Sequence, residues 1–245
     1  VKEIYINNPG NDYLGLFGSV QGATLRGISV YGTIIGAYYT AGLVGNAEDS
    51  TTIDRCANFV DVAGSDVGGI VGASRMSTIT NCFNTGHITG YYCGGIAMTD
   101  ISDIIENVFN VGEIEATGEG GAITSWADDT NFSNAFAVKE YLITDGQTTV
   151  TEEQMASGEV SYKLGEAFGQ QIGVDPYPVL DGVPVYYDET TDTYYNLATG
   201  INDITGADAT PDCYFNLQGV SSQTPWRGIN IVRMTDGTIR KIVVK

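Results

Sequence analysis

Apolar residues in the first half of the chain come in clusters of two or three, flanked by glycine and small polar residues, and the clusters recur at a fixed distance. Gly15-Leu16-Phe17-Gly18, Gly42-Leu43-Val44-Gly45 and Gly69-Ile70-Val71-Gly72 are followed by the degraded Gly95-Ile96-Ala97-Met98 and Gly121-Ala122-Ile123-Thr124. Successive first glycines are 27, 27, 26 and 26 residues apart. A second landmark keeps the same period: Leu25, Ile53, Ile79, Ile105 and Phe132, each followed three residues later by Ile28, Cys56, Cys82, Val108 and Ala135. Each unit reads as short β segments broken by polar turns, with a second strand near Ile79 to Asn84 and a third at His87-Ile88-Thr89. No unit carries the apolar stripe of a crossover helix, which argues against leucine-rich and βαβ architectures.

A unit this short cannot bury its own apolar face, so the copies must stack, each strand pairing in parallel with its equivalent in the next coil. The pattern predicts an all-β chain: a right-handed parallel β-solenoid of about five coils, a capping segment with one short helix, and a small C-terminal β-hairpin module. At a rung spacing of ~4.8 Å, five coils span ~24 Å. Stacking places Ile34, Val62, Ile88 and Ile114 in an inward ladder, and Cys56 beside Cys82. Asn58, Asn84 and Asn110 fall in register, as do Asn81, Asn107 and Asn134, with Arg55 in the same slot; such amides satisfy one another along the rod axis. Gly36, Gly64, Gly90 and Gly118 are expected at tight corners that need positive φ.

The solenoid is assigned to residues 1–140, the cap and closing strands to 141–200, and a linker plus C-terminal β module to 201–245. Thr151-Glu152-Glu153-Gln154 has the form of a capping box, and Met155, Val160, Leu164 and Phe168 fit one amphipathic helix covering the open end of the stack. The stretch from Asp175 to Tyr187 reads as an extended closing strand, and Thr190 to Thr210 as a polar linker. In the tail, Ile229-Asn230-Ile231-Val232 and the run from Ile239 to Val244 form a hairpin signal around Asp236-Gly237.

The pattern G-L/I-V/F-G, then I-x-N-C-x-N-x-G, then an aliphatic strand ending in Gly resembles the GLUG-motif repeats of large secreted bacterial proteins. Those include adhesins and the non-catalytic part of immunoglobulin-A-cleaving metalloproteases. The resemblance covers residues 13 to 138 and implies a surface-exposed repeat region without naming a ligand. No His-Glu-x-x-His occurs, so the metalloprotease activity is not carried over. Residues Tyr214 to Gly219, Arg227 to Ile229 and the hairpin resemble the C-terminal sorting domains of the type nine secretion system of Gram-negative bacteria. That likeness implies export, with the secretion machinery as a partner and an extracellular or outer-membrane surface location.

Charge sharpens this picture. The 245 residues hold 30 acids against 11 bases, a net charge of −19, which argues against nucleic acid and anionic membranes as partners. From Trp226 onward there are five basic residues, Arg227, Arg233, Arg240, Lys241 and Lys245, against Asp236 alone. No apolar run reaches the ~20 residues of a membrane helix, so no membrane insertion is expected. The start lacks the order of a signal peptide, and without an initiating Met the chain reads as a fragment of something longer.

Candidate chemistry is sparse. The cysteines Cys56, Cys82, Cys93 and Cys213 form no CxxC pair and there is one His, so no metal site and no cofactor are expected. His87 shares its position with Thr33, Asp61 and Glu113, an outward polar slot, and reads as solvated surface. Asp128-Asp129 and the acidic run 188–192 match no calcium-loop spacing. Tyr38-Tyr39 and Tyr91-Tyr92 are equivalent pairs two coils apart with Ser65-Asp66 between them. Tyr38, Tyr39, Asp66, Tyr91 and Tyr92 are therefore the candidate ligand-binding residues, a patch suited to a glycan or a host extracellular protein. The expected function is that of a non-enzymatic, adhesin-like surface or secreted protein or structural stalk. The alternative is a fragment of a β-helical polysaccharide lyase or hydrolase, which needs a cleft with two carboxylates and a basic residue.

Overall fold

The computed structural model describes residues 1–138, 146–182, 185–186, 194, 211–216, 219–235 and 239–244, the last segment and 228–229 by backbone alone. The described chain forms two compact units, Val1–Tyr195 and Asn196–Lys245.

The first unit is a β-solenoid of about five turns. Phe17–Gln21, Val44–Glu48, Val71–Arg75, Ala97–Ile101 and Thr124–Asp128 stack as one five-stranded parallel sheet. The rest of each coil belongs to a fourteen-stranded sheet that wraps the other sides. The 26- to 27-residue period is the register itself: Ile53, Ile79 and Ile105 are direct partners, as are Ile34, Val62, Ile88 and Ile114. These side chains are at most 3% exposed and form one continuous core with Cys56, Cys82 and Val108. The stack extends past the recognisable repeats at both ends. Ile4–Asn7 adds a rung below Ser29–Ile35, and Gln147–Thr149 one above Asn131–Ala137.

The asparagine ladder runs inside the rod. Asn58 Nδ2 donates to Asn84 Oδ1 at 2.7 Å, and Asn84 Nδ2 donates to Asn110 Oδ1 at 2.8 Å. Each amide also closes a local turn, as Asn84 does by accepting from Gly86 N and donating to Gly86 O. The first glycines of the G-L/I-V-G motifs leave room for this ladder: a Cβ on Gly42 would stand 1.9 Å from Asn58 Oδ1, and one on Gly69 2.8 Å from Asn84 Cγ.

The corner glycines expected at positive φ are a correction. Gly36, Gly64, Gly90 and Gly118 are not among the left-handed residues; they are small because neighbouring coils pass close by, a Cβ on Gly64 meeting Ala37 O at 2.7 Å. The left-handed corners lie elsewhere, in the columns Gly22/Asp49/Met76/Ser102/Asp129 and Gly27/Arg55/Asn81/Asn107/Asn134, and mostly lack glycine. In the second column Asn and Asp tolerance of this region explains the recurring amide.

The cap also differs from expectation. The capping box forms as read, with Thr151 Oγ1 accepting from Gln154 N and Gln154 Oε1 accepting from Thr151 N. The helix is two short ones, Glu152–Ala156 and Glu159–Leu164, broken at Gly158 with φ 92°. Phe168 lies instead on the strand Phe168–Gly169, paired antiparallel with Val179–Leu180. The described residues of the segment pack along the flank of the solenoid. Its target is an outward column of aromatic residues, where Phe83 and Phe109 stack at 4.8 Å and Phe168 meets both edge-on. Arg55, in the coil before that of Phe83, is paired with Asp181 of the same segment. Such a stripe left bare would expose several aromatic faces to water, which is what drives the segment onto the side of the stack. Residues 183–184, 187–193 and 195–210, with parts of the expected closing strand and linker, lie outside the described residues.

The second unit is a four-stranded antiparallel sheet in which Gly228–Met234 pairs with Ile239–Val244 in the register of the expected hairpin, Gly228 opposite Val244. Its Asp236-Gly237 turn lies outside the described residues. Asn230, fully buried, is bonded to both the N–H and the carbonyl of Trp226, at 2.8 and 2.7 Å. Among the described residues no helix is long and apolar enough to cross a membrane.

Candidate functional site

The solenoid register builds a column along one edge of the five-stranded sheet. Tyr92 is the direct partner of Asp66 on one side and of Glu119 on the other, and Thr40 pairs with Val67, which brings Tyr39 to the rung before Asp66. Tyr13 extends the column, its ring stacked on that of Tyr39 at 5.2 Å and 14°. Tyr13 and Tyr39 both hold φ 56°, a conformation rare for bulky side chains that neighbouring structure must enforce.

This column forms one wall of a groove of about 510 Å³. The floor is the outward face of the sheet, where Asn46, Ala73, Thr99 and Trp126 are partners on successive strands. Tyr13, Tyr39, Tyr92 and Trp126 give the groove four aromatic faces, and Trp126 is 56% exposed. Glu48, Asp66 and Glu119 line it as carboxylates and Arg75 as a cation, the latter 3.5 Å from Asp49 Oδ1. Thr99 is 9% exposed, and among the described residues its buried hydroxyl has no hydrogen-bond partner.

Of the five residues singled out from the sequence, Tyr39, Asp66 and Tyr92 line the groove. Tyr38 and Tyr91 are outside its lining, half exposed to solvent, with Tyr91 edge-on to Tyr92 at 4.7 Å. Burial holds the Asp66 carboxyl above its ordinary range, partly offset by the hydroxyl of Ser65. Burial, followed by the charge of Asp66, also raises the Tyr39 hydroxyl. Tyr91 and then burial raise Tyr92.

Sequence reasoning missed Tyr13, Thr99, Glu119 and Trp126. Glu119 is displaced by a β-bulge between Gly90 and Tyr92, so counting back from the glycine landmark lands one residue away. Trp126 was accessible to counting, since it lies in register with Asn46, Ala73 and Thr99.

Two other clusters bear on chemistry. His87, Glu113 and Glu115 present ligand atoms within 4.8 Å of one another, His87 Nε2 lying 3.6 Å from Glu115 Oε1. The two glutamates are exposed and the His side chain is 38% exposed, a solvent-facing trio on the outward slot read from the sequence. Inside the rod, Asp100 and Asp103 are fully buried. Asp103 accepts from Ser77 N at 2.7 Å and from the Ser74 hydroxyl; Asp100 accepts from Thr124 Oγ1. All four cysteines are free and buried. Burial raises the Cys93 thiol to about 12 and pushes Cys82 up, which makes them poor nucleophiles.

Comparison with known proteins agrees with the repeat. No curated protein and no solved structure matches the chain. Residues 63–89, one complete coil from the end of one strand through Gly69-Ile70-Val71-Gly72 to Thr89, match the family model Glug, the GLUG motif.

Proposed function

We propose that the chain is a non-enzymatic, adhesin-like protein of the bacterial cell surface or secreted fraction, which holds a glycan or a host extracellular protein in the groove beside the tyrosine column. The observation that carries this reading is the groove itself: four aromatic faces, three carboxylates and a buried unpaired hydroxyl converge on one side of a rigid rod. Apolar ring faces beside hydrogen-bonding groups suit sugar rings, which are apolar on one face and polar at the rim. The GLUG coil and the likeness of the basic tail to type nine sorting domains support export, with the secretion machinery as the tail's partner.

One observation favours a second reading, a polysaccharide lyase or hydrolase. Glu48, Asp66, Glu119 and Arg75 share the groove, and paired carboxylates with a cation are the groups such a catalyst needs. Against it, Arg75 already faces Asp49.

The test is an array of glycans and matrix proteins probed with the wild-type chain and a Tyr39→Ala/Tyr92→Ala double variant, with the same glycans assayed for new reducing ends or unsaturated products. The binding reading expects retained ligands, at least tenfold weaker signal for the variant, and no product. Unchanged binding by the variant overturns it, and turnover of any glycan replaces it with the enzyme.

A further inference from the structure

The groove's charge and its floor narrow the ligand further, an inference that rests on the groove being the binding site. Along the column the side chains read Tyr13, Tyr39, Asp66, Tyr92, Glu119, so an aromatic face and a carboxylate alternate over the last four rungs, which lie ~4.8 Å apart. Glu48 adds a third carboxylate from the floor strand, and the lining's one cation, Arg75, has an acid of its own in Asp49. The surrounding field has the same sign, since the unit Val1–Tyr195 carries 26 acidic and 6 basic residues. An anionic chain of uronates or sulfated sugars would meet repulsion both on approach and at contact.

The floor argues against an extended peptide. A peptide added to a sheet gains its affinity from an unpaired strand edge. Of the floor strands, Val44–Glu48, Val71–Arg75 and Ala97–Ile101 are hydrogen-bonded on both sides and offer side chains only, while Thr124–Asp128, at the end of the sheet, has its free edge in the plane of the sheet rather than on the face that floors the groove. What they do offer is Thr99, a residue of the groove's lining that is 9% exposed and whose hydroxyl is without a partner among the described residues. A buried hydroxyl left unmade is costly, and a ligand hydroxyl or amine reaching it removes that cost.

We propose that the groove binds a glycan bearing free amino groups, its sugar rings lying on Tyr39, Tyr92 and Trp126, its ammonium groups against Asp66, Glu119 and Glu48, and one polar group bonded to Thr99 Oγ1. Aromatic faces also favour cations directly, which adds to the same preference. The raised carboxyl of Asp66 is consistent with a site completed by a positive charge, because a cation beside it restores the ionised form.

The experiment is calorimetric titration of the full chain with three oligosaccharides of equal length: a fully deacetylated chitosan oligomer, its N-acetylated counterpart, and an oligogalacturonate. The expected result is binding of the deacetylated oligomer at least tenfold tighter than the acetylated one, weakening as salt is raised, with no heat from the uronate. Thr99→Val and Asp66→Asn, each checked for an unchanged circular dichroism spectrum, are expected to weaken the deacetylated oligomer about tenfold, the equivalent of one lost hydrogen bond or ion contact. Equal binding of the two chitosan forms, or tighter binding of the uronate, overturns the amino-sugar assignment and leaves the groove as a glycan site. Binding of the deacetylated oligomer that Tyr39→Ala/Tyr92→Ala does not change, or failure of all three probes together with an unaltered array profile for that variant, overturns the groove reading itself.

Discussion

Single residues in this rod are set by the coil above and the coil below more than by their own neighbours in sequence. Gly69 is glycine because Gly95 O and Asn84 occupy the space of its Cβ, whereas a Cβ on Gly10 would meet nothing within 4 Å. Gly69→Ala is therefore expected to destabilise the protein by more than ~2 kcal/mol and Gly10→Ala to stay within ~0.5 kcal/mol, read as urea midpoints. Asp100 provides a pH-dependent counterpart. Burial raises its carboxyl from 3.8 to about 7, with the nearby Asp103 acting the same way and Thr124 opposing. An acid whose pKa is higher folded than unfolded costs stability as soon as the unfolded chain can ionise it, because the folded state must then either keep the proton or bury the charge. The penalty is thus absent below pH 3.8, grows as pH rises, and is complete above about pH 7, at up to about 4 kcal/mol. Asp100→Asn should raise the melting temperature at pH 8 and change it little at pH 4; an equal shift at both would contradict this account.

Elements persist through ladders that cross coils. Asn84 sits in the middle of the buried amide chain, with partners in Asn58 and Asn110 and in its own Gly86 turn. Asn84→Ala leaves several of these groups unpaired at once and is expected to cost about 2–4 kcal/mol, while Asn134→Ala, at the exposed end of the outer amide column, costs under ~1 kcal/mol. The flanking segment depends on the aromatic stripe. Phe168→Ala removes the ring that meets Phe83 and Phe109, so hydrogen exchange in 146–182 should accelerate while that of Ile79 and Ile105 stays slow. The ladders were legible in the sequence because parallel stacking converts a spatial neighbour into a fixed sequence offset. Ile34 to Ile114 and Asn58 to Asn110 needed only that offset. The cap was legible only in part: Thr151 and Gln154 announce a helix start by local chemistry, but nothing local in Met155 to Phe168 says which surface it will cover. That choice is made by Phe83, Phe109 and Phe136, which lie outward on strands whose glycine landmarks draw attention to the interior. The corner glycines misled for a related reason, since small size between coils and positive φ leave the same letter in the sequence.

At the scale of the molecule, charge and aromatic placement separate the two units. Val1–Tyr195 holds almost all the acid, whereas Asn196–Lys245 has 4 acidic and 5 basic residues. The candidate site belongs wholly to the first unit, and its legibility was uneven: Tyr39, Asp66 and Tyr92 follow the repeat offset, Glu119 is hidden by a bulge, and Thr99 is marked only by an unpaired hydroxyl that no sequence shows. The most direct test of the account uses the two tryptophans, Trp126 on the groove and Trp226 in the other unit. In a Trp226→Phe background, emission is recorded while the deacetylated chitosan oligomer is added. If the groove is the binding site, the emission of Trp126 shifts to shorter wavelength as water leaves the ring, saturates with the calorimetric affinity, and loses its response in Tyr39→Ala/Tyr92→Ala. Saturable binding by calorimetry with an unmoved Trp126 spectrum would place the ligand elsewhere and contradict the account.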